Sequence, residues 1–212
     1  MSEFRPIISI VLSIVLVLAL IGVVQILKKG IYEHGDDIYF VVDKNGKIDG
    51  SITFGEYGPL LDLIAKAESG GYDSVNPSTK VDGLSTMTIV KAREAALAKG
   101  SSLSGSGAMG RYQQMPQFVV GRAKSIGLNP NVDLFSPENQ DKLAILLING
   151  AGYEKWRKGE LSDESFAHNL AETWRGLPQG ASGVTYQDRY AESNRAAVSW
   201  DEVMKVLEKM ES

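Results

Sequence analysis

One acidic residue stands apart by its spacing. Glu68 lies seven residues after Leu61 and four after Ile64. On a helix those offsets amount to about −20° and about +40°, so Glu68 continues an apolar stripe. It also falls at the end of that helix, just before Ser69-Gly70-Gly71, where the helix dipole disfavours negative charge. Burial and dipole both favour the protonated acid. A carboxylic acid that keeps its proton near neutral pH is what a glycosidase needs to protonate a leaving oxygen. The competing reading is a glutamate that reaches solvent at a frayed helix end, and position alone does not separate the two.

Two further segments could touch a polymeric substrate. Residues 104–116 read SGSGAMGRYQQMP. Their glycines permit tight turns and close approach, Tyr112 offers a flat face for a sugar ring, and Gln113 and Gln114 each donate and accept hydrogen bonds. A Gly-rich lead-in to a helix has the same composition. Further on, Trp174-Arg175-Gly176-Leu177-Pro178 precedes Tyr186-Gln187. Trp174 is either a core plug or a sugar platform. Asp73 and Asp82 are the other acids near Glu68, and both read as caps of turns.

These residues need elements to hold them. Leu60, Leu61, Ile64 and Ala67 recur at helical spacing over residues 56–68. Residues 72–108 read as irregular, with one helical stretch around Ile89 to Lys99. A helix is expected from near Gln113–Pro116 to Ile126, capped by Gly127. Ser136-Pro137-Glu138 is a helix start, with a capping hydroxyl, a proline in the first turn and an acid on the dipole; that helix runs through Leu143–Ile148. Another starts at Ser162 and runs to about Trp174. The last, Trp200 to Met210, is amphipathic. The expected fold class is α+β, mainly α.

The chain has 212 residues, net charge −4, no cysteine and two histidines, His34 and His168. A disulfide and a Cys/His zinc site are therefore excluded. No basic patch points to nucleic acid. Residues 7–27 carry no charged side chain. At about 1.5 Å per residue they match a bilayer core of about 30 Å, so a transmembrane anchor with its flanks is expected over residues 1–29. Ile38–Val42, the turn Asp43-Lys44-Asn45-Gly46 and Lys47–Phe54 read as a hairpin linker within 30–55, leaving a catalytic domain over 56–212. Lys28 and Lys29 against Arg5 favour a cytoplasmic C-terminal side by charge counting.

Four segments occur in order: Glu68-Ser69-Gly70, GAMGRYQQMP at 107–116, FSPENQD at 135–141 and WRGLP at 174–178. Together they resemble the family of phage lambda lysozyme, which are lytic transglycosylases. The middle segment is also similar to the Gly-Leu-Met-Gln motif of soluble lytic transglycosylases and goose-type lysozymes, with Gln113 in the glutamine position. The resemblance covers about residues 58–190. It departs at Ala67, where the family has Ser, and at Ala167-His168-Asn169-Leu170-Ala171, where the soluble enzymes have Ala-Tyr-Asn-Ala-Gly.

The resemblance implies a lysozyme-like domain that cleaves peptidoglycan glycan strands, with Glu68 catalytic and no metal or other cofactor. Substrate contact is expected from Tyr112, Gln113, Gln114 and Tyr186. That activity requires the domain to face the periplasm or cell wall, against the charge count, and it admits virion or envelope-complex partners. The alternatives are a hydrolytic muramidase using Asp73 or Asp82, and a non-catalytic, membrane-tethered wall-binding or virion protein.

Overall fold

The computed structural model describes residues 54–76, 79–102, 105–185 and 196–211. The expected anchor at 7–27, most of the hairpin linker and Tyr186 lie outside the described residues. Among the described residues no helix is long and apolar enough to cross a membrane.

The described chain is mainly helical. Helix α1 (Phe54–Glu68) leads into a two-stranded antiparallel sheet, β1 (Ser74–Val75) and β2 (Thr79–Lys80), with Ser74 opposite Lys80 and Val75 opposite Thr79. A 3-10 turn (Leu84–Thr86) and α2 (Ile89–Ser102) complete a lobe that the sequence reads as irregular. Then follow α3 (Pro116–Ser125), α4 (Pro137–Gly150), α5 (Tyr153–Arg157), α6 (Asp163–Thr173) and α7 (Trp200–Glu211).

The start signals operate as the sequence predicts. Ser136 Oγ accepts from the Asn139 amide at 3.3 Å, and Ser162 Oγ accepts from the Ser165 amide at 3.3 Å. Each supplies an acceptor to an otherwise unpaired first-turn N–H. Gly127 follows α3 with φ 78°, the left-handed geometry a helix terminator requires. The short α5 was not expected; it is five residues long and shows no apolar period of its own.

Helix α4 divides the molecule. Its run Leu143–Ile148 is apolar on every side, which fits a helix buried all round. Leu143 and Leu146 join a core with Val75, Leu84, Ile89, Ala92, Met109 and Val119. Ala144, Ile145 and Ile148 join a second core with α1, α5, α6 and α7. One helix thus serves as a wall for both lobes.

The second core is braced by aromatic rings. Tyr153 lies 4.4 Å from Tyr57 between centroids, and Trp156 stacks on Phe166 at 4.9 Å. The Trp156 indole donates to Asp163 at 2.7 Å, and the Tyr57 hydroxyl donates to Asn149 at 3.0 Å. Polar tips are therefore satisfied while the rings are buried. Phe166→Ala should cost about 3–5 kcal/mol, read as a shift in the urea midpoint followed by circular dichroism.

Candidate active site

Glu68 is the last residue of α1 and is partly buried. Its Oε1 accepts from the backbone N–H of Gly176 at 2.9 Å. Its other oxygen has no partner among the described residues. Burial pushes the Glu68 carboxyl above its ordinary value, outweighing the Gly176 amide and the Arg175 guanidinium, which favour the anion.

The turn that carries Glu68 is held by backbone packed directly on backbone. A Cβ on Gly176 would lie 2.1 Å from the carbonyl oxygen of Ala67. One on Gly70 would lie 2.7 Å from the carbonyl oxygens of both Gly110 and Arg111. Between them Ser69 adopts φ 52°, a left-handed conformation costing a non-glycine residue on the order of 1–3 kcal/mol. Residues 68–70 are thus clamped between the WRGLP turn and the GRYQ segment.

The GRYQ segment forms a tight hairpin of its own. Met109 and Gln114 exchange backbone hydrogen bonds at 2.9 and 2.8 Å, and the Gly110 amide donates to the Ser74 carbonyl at 2.7 Å. The expectation that Tyr112 presents a sugar-binding face is corrected here. Tyr112 is 1% exposed, and its hydroxyl donates to Asp141 at 2.6 Å. Gln114, at 2% exposed, is also inside; its Oε1 accepts from Arg122 at 3.0 Å. Gln113 is 8% exposed, with φ 47°. Its Nε2 donates to the Gly110 carbonyl at 2.9 Å, while its Oε1 has no partner.

Around Tyr112 lies a polar network that spacing alone did not reveal. Tyr72 donates to Asp141 at 3.2 Å. Arg111 Nη1 donates to the Tyr72 hydroxyl at 2.9 Å and Nη2 to Asp62 at 2.7 Å. The guanidinium also sits 5.3 Å from the Tyr72 ring centroid and 5.5 Å from that of Tyr112. Fully buried Gln140 accepts from the Arg111 amide at 2.9 Å and donates to the carbonyls of Tyr72 at 3.0 Å and Phe135 at 2.8 Å. Burial pushes Asp141 above the usual carboxylate range, against the two tyrosine donors and Arg111. The available signal was the polar end, Gln140-Asp141, of a segment that otherwise starts a buried helix.

The remaining sequence candidates fall into place around this frame. Trp174 is the core plug, 3% exposed, and its indole donates to the Tyr112 carbonyl at 3.2 Å. Asp73 accepts from the Ser85 amide at 2.7 Å, as a turn cap. Asp82 is exposed and pairs with Lys80 at 3.1 Å. His168 lies on α6, 3.8 Å from Glu172. No group of His, Cys, Asp and Glu among the described residues could hold a metal ion.

The four segments resembling one family therefore meet at one place: Glu68 and Gly70 against Gly110–Tyr112, these against Gln140 and Asp141, and Gly176 closing on Ala67. A family model described as Endolysin matches residues 58–202. The chain belongs to the endolysin family. Its general activity is phage-type degradation of peptidoglycan. The match takes in all four segments. No curated protein and no solved structure matches the chain.

In this endolysin the cradle should be intolerant of small changes. Gly176→Ala must push the WRGLP turn off Ala67; a stability loss of about 1–3 kcal/mol is expected, together with reduced turbidity clearing of peptidoglycan. Tyr112→Phe leaves Asp141 without its shortest donor and should cost about 1–3 kcal/mol, measured by urea unfolding.

Proposed function

We propose that this endolysin is a lytic transglycosylase. It cuts the β-1,4 bond between N-acetylmuramic acid and N-acetylglucosamine, with Glu68 as the catalytic acid and then base. The observation that carries the reading is the Glu68 carboxyl itself: partly buried, inclined to keep its proton, and, among the described residues, fixed by the Gly176 N–H through one oxygen only. That leaves the second oxygen to hold the reacting proton.

Glu68 gives this proton to the glycosidic oxygen as the bond to C1 of the muramic sugar breaks. Positive charge develops on C1 and the ring oxygen. The sugar's own 6-hydroxyl attacks C1 and returns its proton to Glu68. The product carries a 1,6-anhydromuramic end, and no water is consumed. One carboxylate suffices, which accords with Asp73 being engaged by the Ser85 amide and Asp82 by Lys80. Gln113, whose buried Oε1 has no partner among the described residues, keeps its proposed role in substrate contact through the sequence motif. Tyr186 keeps its proposed role on sequence grounds alone.

The proposed setting is a membrane-tethered enzyme. Residues 7–27 anchor it in the bilayer, and the catalytic domain faces the periplasm or cell wall, for host wall opening or lysis. Virion or envelope proteins are its natural partners in that setting.

Mass spectrometry of peptidoglycan digested by the full chain should give anhydromuropeptides; reducing-end products would make the enzyme a hydrolytic muramidase instead. Glu68→Gln should lower the rate by about 10²–10⁴-fold with the fold retained.

The pH dependence has a defined sign. Activity should fall as pH rises through the elevated Glu68 pKa, because the acid form is lost. A carboxyl whose pKa rises on folding supports the fold fully below its unfolded pKa and loses that support as pH rises through the folded value. Glu68→Gln should therefore be more stable than wild type at neutral pH, with the gap closing in acid, as thermal melts across pH will show.

A further inference from the structure

Helix α3 carries an arginine that the site described above does not use. Arg122 is half-buried, and its Nη1 donates to Gln114 Oε1 at 3.0 Å. Its guanidinium carbon stands 5.3 Å from the ring centroid of Phe118, one turn earlier on the same helix. No carboxylate pairs with it among the described residues. The contrast with Arg111, which has Asp62 at 2.7 Å, and Arg157, which has Glu56 at 3.9 Å, is plain. Burial works against the Arg122 charge, and no carboxylate among the described residues offsets it.

The surroundings are short of acceptors. Gln114 gives its one side-chain oxygen to Arg122, and its Nε2 is buried without an acceptor. The guanidinium has five N–H donors, of which one is used among the described residues. Phe118 is 53% exposed, and it is the one aromatic ring among the large apolar side chains that face solvent in the described residues. A half-buried cation with spare planar donors, backed by an exposed ring, is complementary to a carboxylate, which it can take in two parallel hydrogen bonds.

This pair is linked to the Glu68 turn through the hairpin. Gln114 closes the hairpin with Met109, and the next residue, Gly110, is the one on which Gly70 rests. Arg122 is thus joined through one side chain to the segment that seats the Glu68 turn. A glycan strand bound at Glu68 carries peptide stems on its muramic residues, and those stems bear free carboxylates.

We propose that Arg122, with Phe118 and Gln114, forms a subsite for a carboxylate of the peptide stem. This rests on Glu68 being the point of cleavage. The subsite makes the enzyme prefer stem-bearing strands over bare glycan.

The test compares the full chain and two variants, Arg122→Gln and Arg122→Lys, on intact peptidoglycan and on strands stripped of stems by an amidase. For Arg122→Gln, KM on intact peptidoglycan should rise about ten- to hundredfold, with kcat and the rate on stripped strands unchanged. Arg122→Lys should recover part of the loss, since it keeps charge but not the bidentate fork. Equal losses on both substrates, or no loss on either, overturn the proposal.

A direct titration stands beside the kinetics. Wild-type protein is titrated by calorimetry with a synthetic stem tetrapeptide and with the same peptide fully amidated at its carboxyl groups. Tighter binding of the acid form supports the subsite; equal binding of both, or binding of neither, overturns it. This arm decides the matter if Arg122→Gln does not fold. Were wild type to cleave neither strand, the transglycosylase reading would fall, and the titration would still judge Arg122.

Discussion

The site depends on two places where backbone touches backbone with no room for a side chain. Gly176 sits on the carbonyl of Ala67, and Gly70 sits on the carbonyls of Gly110 and Arg111. These contacts bring a distant turn within a hydrogen bond of the carboxyl at the helix end, and seat the turn after it on the hairpin. Without the first contact the Gly176 amide could not reach Glu68. Without the second the turn after Glu68 would have no floor. Ser69 at φ 52° is held between them, and the strain of that conformation is offset by the packing on either side.

A second layer of polar contacts keeps this arrangement rigid. Asp141 receives both tyrosine hydroxyls, Arg111 joins Tyr72 to Asp62, and Gln140 ties the Arg111 amide to the carbonyls of Tyr72 and Phe135. Buried polar groups are costly when left unpaired and strongly ordering when all are satisfied. The network spans α1, the turn after it, the hairpin and α4. Its residues resemble substrate-binding groups in type, yet most of their hydrogen-bonding capacity is turned inward.

Helix α4 sets the larger geometry. It carries Gln140 and Asp141 near its N-terminal end and then an apolar run that walls both cores. The polar network and the two lobes are therefore referenced to one rigid element. Glu68 is only partly buried, yet its burial disfavours the anion, and among the described residues one of its oxygens has no partner. A local cost in stability of this kind is what a general acid requires.

Much of this was legible in the sequence, for identifiable reasons. Helix ends were marked by chemistry that acts within four residues: Ser136 with Pro137, Ser162 with Asp163, Gly127 after α3. The stripe through Leu61 and Ile64 put Glu68 in line with the buried face of α1, because helical periodicity is a local property; that the residue stays partly buried at the helix end was decided by the tertiary structure. The order of four short segments pointed to the family.

What the sequence did not determine is which way the polar and aromatic side chains face. Tyr112 has the composition of a sugar platform, but a hydroxyl 29 residues away in sequence from its acceptor, Asp141, decided that it lies inside. Trp174 was an open choice until its indole met the Tyr112 carbonyl, 62 residues away. The five-residue α5 had no period to read, since it is held by Tyr153 and Trp156 packing on other elements. Local pattern fixes elements and their buried faces; the partner of a polar tip is fixed only when elements distant in sequence close on one another, and in this protein that closure is what makes a site of Glu68.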